Sequence, residues 1–438
     1  LGFSVNKSTL GIPVLKKLKT DLTLIPYSPQ TEFFVKPSPI EFYYEYEDVI
    51  YIPRQFGMNR FGRNVQFDDL EQVKDWPHTI AFNGQLKDLP LFSQQVACDS
   101  AIRDLRTTGG SLLSLPTGTG KTACALYIMA QMAVKVAVVV HKEPLLHQWK
   151  ERIHQFLPEA RVGTIQGPNF DVDDKDIVII MLQSVTKRDY VSDIFQQFGM
   201  VVFDEVHHLS ARVFSQVFHK LTRPFMLGLS ATLQRKDRTD IALQWFIGPI
   251  SMEVKLVDNT VSVKTVYYKN DLAFKDLPIS KGGKLNFTAL ITLITEIEER
   301  NQFIVKILHT LKNRNVIVMS DRRKHCVQLH DIMRREGTAG LVLIGGSMPT
   351  SEEISQSNLF FATYSLCAEG LDIPKLDCLL LASPKADVVQ ATGRIMRTNR
   401  PDNIHPLVVD IVDHCGPLFA QYFKRKAFYN ASDFSLQT

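Results

Sequence analysis

Of the 438 residues, only 3 are tryptophan and 6 are cysteine. The cysteines (Cys98, Cys124, Cys326, Cys367, Cys378 and Cys415) are scattered, with no Cys-x-x-Cys pair. That pattern argues against a zinc framework or a disulfide scaffold and predicts an intracellular, reducing compartment. Runs of about 18 apolar residues are also missing, so no membrane-spanning helix and no membrane partner are expected. The apolar stretch Val136–Val140 is only strand-length. The basic, apolar and small-residue succession of a secretory signal is absent, and a first residue of Leu1 rather than methionine points to a trimmed or processed chain. The sequons at Asn286 and Asn430 then read as chance matches. Excess charge of either sign is lacking: 50 basic and 46 acidic residues leave +4, which excludes a histone-like chain.

What is present is ordinary globular material, 45% hydrophobic and 22% charged, with length for roughly three domains at about 150 residues each. Residues 1–85 carry Pro26, Pro29, Pro37, Pro39 and Pro53 between short aromatic and β-branched runs, Phe42–Tyr46 and Val49–Ile52. They read as a small β-rich accessory domain with an aromatic core, or as a surface for duplex nucleic acid or a protein. From Leu86 onward strands alternate with helical stretches, which implies βαβ units and a parallel sheet. Expected strands are Ser111–Leu115, Lys135–Val140, Asp176–Met181, Met200–Phe203 and Phe225–Leu229. After residue 250 a second set follows, with strands at Asn315–Met319, Leu341–Ile344, Asn358–Ala362, Cys378–Leu381 and Leu407–Ile411, and helices over Ala289–Asn313 and Lys324–Glu336.

Leu115-Pro-Thr-Gly-Thr-Gly-Lys-Thr122 lies between an expected strand and an expected helix. Gly118 and Gly120 let the backbone curl so that several N–H groups converge, and a helix N-terminus adds positive potential. Lys121 can reach β- and γ-phosphates, and Thr122 can ligate Mg²⁺. Thr117 and Thr119 belong to the same loop, which departs from the strict pattern at Leu115. Met200-Val-Val-Phe-Asp-Glu-Val-His-His208 is a hydrophobic strand ending in two carboxylates. Beside a phosphate loop, Asp204 is a candidate Mg²⁺ residue and Glu205 a candidate base for the attacking water. His207 reads as a polar relay and His208 as local packing. Ser230 and Thr232, in Leu229-Ser-Ala-Thr232, are small hydroxyl residues able to hydrogen-bond the acidic pair.

These three segments resemble motifs I, II and III of superfamily two helicases. The longer strings Asp204–Ala211 and Leu227–Leu233 resemble its XPB-like branch, and there the poxvirus transcript-release helicase and its asfarvirus counterpart. The likeness covers residues 86–438. Where XPB proteins carry Arg-Glu-Asp after motif III, this chain has Arg235-Lys236-Asp237, a charge reversal that puts an XPB-type duplex wedge in doubt. Gln390-Ala-Thr-Gly-Arg-Ile-Met-Arg397 resembles motif VI, in which Arg397 would be the arginine finger, Arg394 its partner, and Gln390 a link to the nucleotide. Phe361-Ala-Thr-Tyr followed by Glu369-Gly-Leu-Asp-Ile-Pro374 resembles motif V, with Gly370 allowing close backbone approach, Asp372 reaching the ribose or motif VI, and Thr363 a phosphate contact. The resemblance also assigns Gln94 to the nucleotide. It assigns His141 and Lys142 (motif Ia), Gln183 and Ser184, and Arg322 (motif IV) to nucleic acid. Arg322 and Arg323 equally suit a solvated helix start. Trp149 could stack a base or pack its helix onto the sheet.

The resemblance implies two tandem RecA-like parallel-sheet lobes, residues 86–250 and 251–438, enclosing ATP and Mg²⁺. The implied activity is an ATP-dependent, 3′-to-5′ DNA helicase or translocase in viral transcript release or DNA repair. Single-stranded and duplex DNA, gripped without reading sequence, would be its partners, with RNA and a transcription protein as further ones. Host cytoplasm and virion would be its location if viral, the nucleus if cellular. The alternatives are an ATP-gated nucleic-acid clamp and an RNA-directed helicase. Near-neutral charge in each section (9 basic and 10 acidic residues over 1–85, 18 and 16 over 86–250, 23 and 20 over 251–438) suits a motor that must grip and release phosphates.

Overall fold

The computed structural model describes residues 2–437 except 28–37, 63–74, 188–192, 209–215, 218–219, 234–236, 256, 272–273, 276, 281, 284, 345–348, 369–372 and 397–403. The chain divides into two compact units, Leu1–Val254 and Lys255–Thr438.

The first unit opens with β1 (Phe3–Asn6), helix α1 (Ile12–Asp21), β2 (Thr23–Leu24), β3 (Ile40–Glu41), β4 (Tyr44–Tyr46), β5 (Val49–Ile52) and α2 (Arg54–Phe61). Strands β1, β5 and β4 form an antiparallel sheet, and β2 pairs with β3. Pro13 in the first turn of α1 has φ preset for a helix, and Leu18 and Leu22 turn inward. Buried Arg54 fastens this region to the rest of the unit, donating to the carbonyls of Arg223 (2.6 Å), Pro224 (2.9 Å) and Thr108 (3.2 Å).

The main sheet of this unit comprises β6 (Gly110–Ser114), β7 (Val136–Val140), β8 (Val162–Gln166), β9 (Asn169–Asp171), β10 (Ile177–Met181), β11 (Met200–Phe203), β12 (Phe225–Ser230) and β13 (Ile250–Glu253). Its order is β13-β6-β12-β11-β7-β10-β8-β9, with only β9 antiparallel to its neighbour. The central strands β7, β10 and β11 are apolar at every position because both faces are covered. Val136, Val138 and Val140 enter one core beneath α3 (Gln94–Thr108), α4 (Lys121–Met132) and α5 (Glu143–Phe156), while Ala137 and Val139 enter the other.

The second unit repeats the plan. Strands β14 (Ser262–Tyr268), β15 (Val316–Ser320), β16 (Leu341–Leu343), β17 (Leu359–Thr363), β18 (Cys378–Leu381), β19 (Leu407–Asp413) and β20 (Ser435–Gln437) stand in the order β16-β17-β15-β18-β19-β14-β20, all parallel. Ile317 and Met319 serve one core, Val316 and Val318 the other. The α/β class and the two parallel sheets agree with expectation. The expected helix over Ala289–Asn313 is instead two, Phe287–Glu296 and Glu298–Thr310, parted at extended Ile297. Strands β8, β13 and β14 were not foreseen.

Candidate functional site

Register places the signal residues of the first unit together. Parallel pairing of β6 with β12 sets Ser114 beside Ser230, and pairing of β7 with β11 sets Val139 beside Phe203. The loop after β6, the acidic pair after β11 and the hydroxyl residues after β12 therefore leave the same C-terminal edge, where open parallel sheets place their ligands.

The loop from Leu115 to Gly120 is a backbone cradle. Gly118 and Gly120 have φ of +83° and +86°, a region that L side chains rarely adopt. A Cβ on Gly120 would also stand 2.4 Å from the amide nitrogen of Gln94. Gln94 is buried and braces the loop from outside, donating to the Thr119 carbonyl (2.7 Å) and accepting from the Lys87 N–H (2.8 Å). Thr119 Oγ1 donates to the Pro116 carbonyl at 2.7 Å. At the departure from the strict motif, the Leu115 side chain is fully buried in the core while its carbonyl accepts from Lys121 Nζ at 3.2 Å. The side chain lost no backbone function by replacing glycine there. Lys121 opens α4, and Thr122 follows it, at the helix N-terminus next to the cradle.

Buried Lys121 Nζ stands 3.8 Å from Glu205 Oε1. Asp204 and Glu205 are both buried, and Glu205 holds φ at +50°, a conformation uncommon outside glycine. Burial first, and then the neighbouring Glu205 carboxylate, push the Asp204 carboxyl up to about 6, against the opposing pull of Trp149 and Lys121. The Trp149 indole N–H donates to Asp204 Oδ2 at 2.8 Å. Trp149 is thus buried and packs α5 on the sheet, and it also orients a carboxylate, a role no spacing in the sequence signals. A hydrogen bond to a charged acceptor contributes about 1.5–3 kcal/mol.

A relay leads away from Glu205. His207 Nδ1 lies 3.3 Å from Glu205 Oε2 and 2.8 Å from Ser230 Oγ. Ser230 Oγ donates to the Thr232 carbonyl and accepts from the Thr232 N–H at 3.2 Å. The hydroxyl of Ser230 thus reaches the acidic pair through His207, and the Thr232 backbone is bonded to the same hydroxyl.

The next strand ends lie further along the edge. Gln183, just past β10, donates to the His141 carbonyl just past β7 at 2.7 Å, so these two segments are brought together with Lys142 beside them. Ser184 is buried and its hydroxyl accepts from Gly167 N–H at 3.0 Å. In the second unit, Thr363 ends β17 and caps the helix Tyr364–Ala368, accepting from Ser365 Oγ (3.0 Å) or donating to it. Arg322 turns back onto the helix Phe287–Glu296, donating to Thr292 Oγ1 (3.1 Å) and the Thr288 carbonyl (2.8 Å). Arg394 is buried at the end of the short helix Val389–Gly393, which includes Gln390. Arg397, Gly370, Asp372, Arg235 and Lys236 lie outside the described residues, as does the side chain of His208.

Comparison with known proteins adds three findings. Residues 89–235 match the family model described as type III restriction enzyme, res subunit, and residues 299–401 match the helicase conserved C-terminal domain. A protein of Acanthamoeba polyphaga mimivirus, provisionally named an ATP-dependent RNA helicase, is 30% identical over all of this chain and 85% of its own length. An African swine fever virus protein with the same provisional name is 24% identical over 80% of this chain and 74% of its own. Among solved structures, S. cerevisiae Dbp5 bound to RNA and ADP BeF3 shares the fold, with a TM-score of 0.53 at 14% identity, covering 78% of this chain and 89% of that one.

Proposed function

The chain belongs to the superfamily two helicases and is a nucleic-acid-dependent ATPase; from that premise we propose that it is a 3′-to-5′ DNA translocase of the XPB-like branch, acting in viral transcript release. The observation that supports ATP hydrolysis in this reading is the buried Lys121–Glu205 and Trp149–Asp204 cluster beside a phosphate cradle, while the strand, direction and branch follow from the sequence resemblance. We assign residues 86–250 and 251–438 as the motor lobes and 1–85 as an accessory domain.

In this reading the N–H groups of Thr117–Gly120 bind the nucleotide phosphates, and Lys121 holds the β- and γ-phosphates. Gln94 keeps the cradle in shape. A buried carboxylate and a helix-start hydroxyl are the donor set that Mg²⁺ accepts together with phosphate oxygens, so Asp204 and Thr122 would hold it. Once bound, Mg²⁺ neutralises charge on the phosphoryl oxygens. Trp149 keeps the Asp204 carboxylate aimed. Glu205 orients and deprotonates the attacking water, Lys121, Arg394 and Arg397 stabilise the charge on the transferring phosphoryl group, and ADP is the leaving group. Gly370, Asp372 and Gln390 contact the nucleotide. His207, Ser230 and Thr232 couple that site to the strand-end segments His141–Lys142 and Gln183–Ser184, which with Thr363 and Arg322 grip phosphates without reading bases.

An RNA-directed motor is the second reading, favoured by the provisional RNA-helicase names of the mimivirus and African swine fever virus relatives. ATPase stimulation by duplex DNA, single-stranded DNA and RNA, with strand displacement on substrates of defined polarity, decides between them. Stimulation by DNA with 3′-to-5′ displacement supports the proposal. Stimulation by RNA alone, or displacement only 5′-to-3′, overturns it.

A further inference from the structure

Strand β14 ends beside β19, with Tyr267 paired to Val412. The helix Gly416–Ala431 that follows β19 buries Leu418, Tyr422, Arg425 and Tyr429, a spacing that keeps one stripe on the sheet. Arg425 locks the helix in place through a two-pronged pair with buried Asp410, both contacts at 2.8 Å. One position round the helix, Phe423 turns outward at 61% exposure, and the neighbouring Tyr267 is 49% exposed. Ring contacts run from Phe419 to Phe423 (6.3 Å between centroids), Phe423 to Tyr422 (5.8 Å) and Tyr422 to Tyr267 (6.2 Å).

Contiguous exposed apolar surface rimmed by polar residues marks interaction sites. Charge identifies the occupant. The helix contains no Asp or Glu, and Lys424 and Lys426 are exposed beside Phe423. We propose that Tyr267, Phe423, Lys424 and Lys426 form a second contact for single-stranded nucleic acid, in which the rings stack bases and the lysines meet phosphates. Stacking tolerates any base because every base has a π-face, as a motor requires. Tyr267 lies near the C-terminal end of β14, four strands along from Thr363, or about 19 Å at ~4.8 Å per strand, and Phe423 and the lysines follow on the helix that runs back from that end. The inference rests on the family's dependence on nucleic acid and extends the contact well beyond the strand-end residues.

The test uses the full chain and fluorescent single strands of about 20 nucleotides, DNA and RNA, each with a matched abasic version. Phe423→Ala weakens binding of the base-bearing strand about fivefold or more, Phe423→Trp restores it, and basal ATPase without nucleic acid is unchanged. The abasic strand binds the wild-type chain more weakly, but Phe423→Ala adds little further loss there, which a merely structural role would not produce. Replacing Lys424 and Lys426 together by Ala lowers the salt slope of binding by about 1.4. Unchanged affinity and slope in these variants, while the wild-type chain binds, overturn this site alone. Loss of a protein partner with oligonucleotide binding intact reassigns the surface to protein and likewise overturns it. A wild-type chain that binds no single strand overturns both this site and the motor reading.

Discussion

The two parallel sheets share a plan, but the closed ion pairs of the second differ from the charge cluster beside the phosphate loop of the first. In the second unit, ions are closed by geometry. Arg300 grips Asp413 through both prongs (2.5 and 2.9 Å) and gives its remaining nitrogen to the Ala382 carbonyl. Arg425 does the same with Asp410 and the Lys385 carbonyl. In the first unit Lys121 and Glu205 meet only at 3.8 Å, and Asp204 sits where burial opposes its charge. Breaking a saturated buried pair costs about 3–5 kcal/mol, because an unmatched ion remains. A loose cluster cannot be explained as stabilisation on that scale. In the proposed reading, the nucleotide phosphates and Mg²⁺ join this cluster.

That contrast can be broken by substitution. Lys121→Met is expected to lower turnover about 10²–10³-fold, the scale of one lost transition-state donor, with the melting profile nearly unmoved. Arg425→Met is expected to do the reverse, removing about 3–5 kcal/mol from the second unit in a denaturant titration. Equal loss of stability in both would erase the distinction. Trp149→Phe keeps a ring against the sheet but removes the donor to Asp204. It should weaken Mg²⁺-dependent nucleotide binding about tenfold or more, consistent with about 1.5–3 kcal/mol, measured calorimetrically. Unchanged affinity would leave Trp149 a packing residue only.

The smallest effect is a pH dependence. The folded pKa of Asp204, about 6, lies above its ordinary 3.8. The fold therefore disfavours the carboxylate, and the stability cost of this residue grows as pH rises between those values. Cation binding needs the carboxylate, so Mg²⁺-dependent nucleotide affinity should fall as pH drops through about 6, approaching tenfold one unit lower. Trp149→Phe should move that midpoint upward. A flat profile between about pH 8 and pH 5 would remove Asp204 from the binding step.

Much of this was legible because it is local. The phosphate loop and the strand-ended Asp204–Glu205 pair are contiguous, and central strands buried on both faces read as unbroken apolar runs. Strand β14 was missed for the converse reason. Its other neighbour β20 pairs only with Ser262–Lys264, and its burial alternates along Ser262–Tyr268. Edge strand β13 is short and half-exposed. The break at Ile297 falls among Glu296, Glu298 and Glu299, good helix formers that give no stop signal, and α1 and α2 lie in a stretch whose prolines suggest turns. The bond from Trp149 to Asp204 spans 55 residues and exists only through the sheet order. The turn of Arg322 onto Thr288 and Thr292 is equally a product of packing.

In the proposed mechanism Glu205 activates water in a site built by Lys121 and Asp204. The most direct measurement is nucleic-acid-stimulated ATP hydrolysis by Glu205→Gln, with nucleotide binding measured on the same protein. Removing a general base should cost about 10²–10⁴ in turnover while ATP still binds. Hydrolysis at the wild-type rate, with binding intact, would contradict the account.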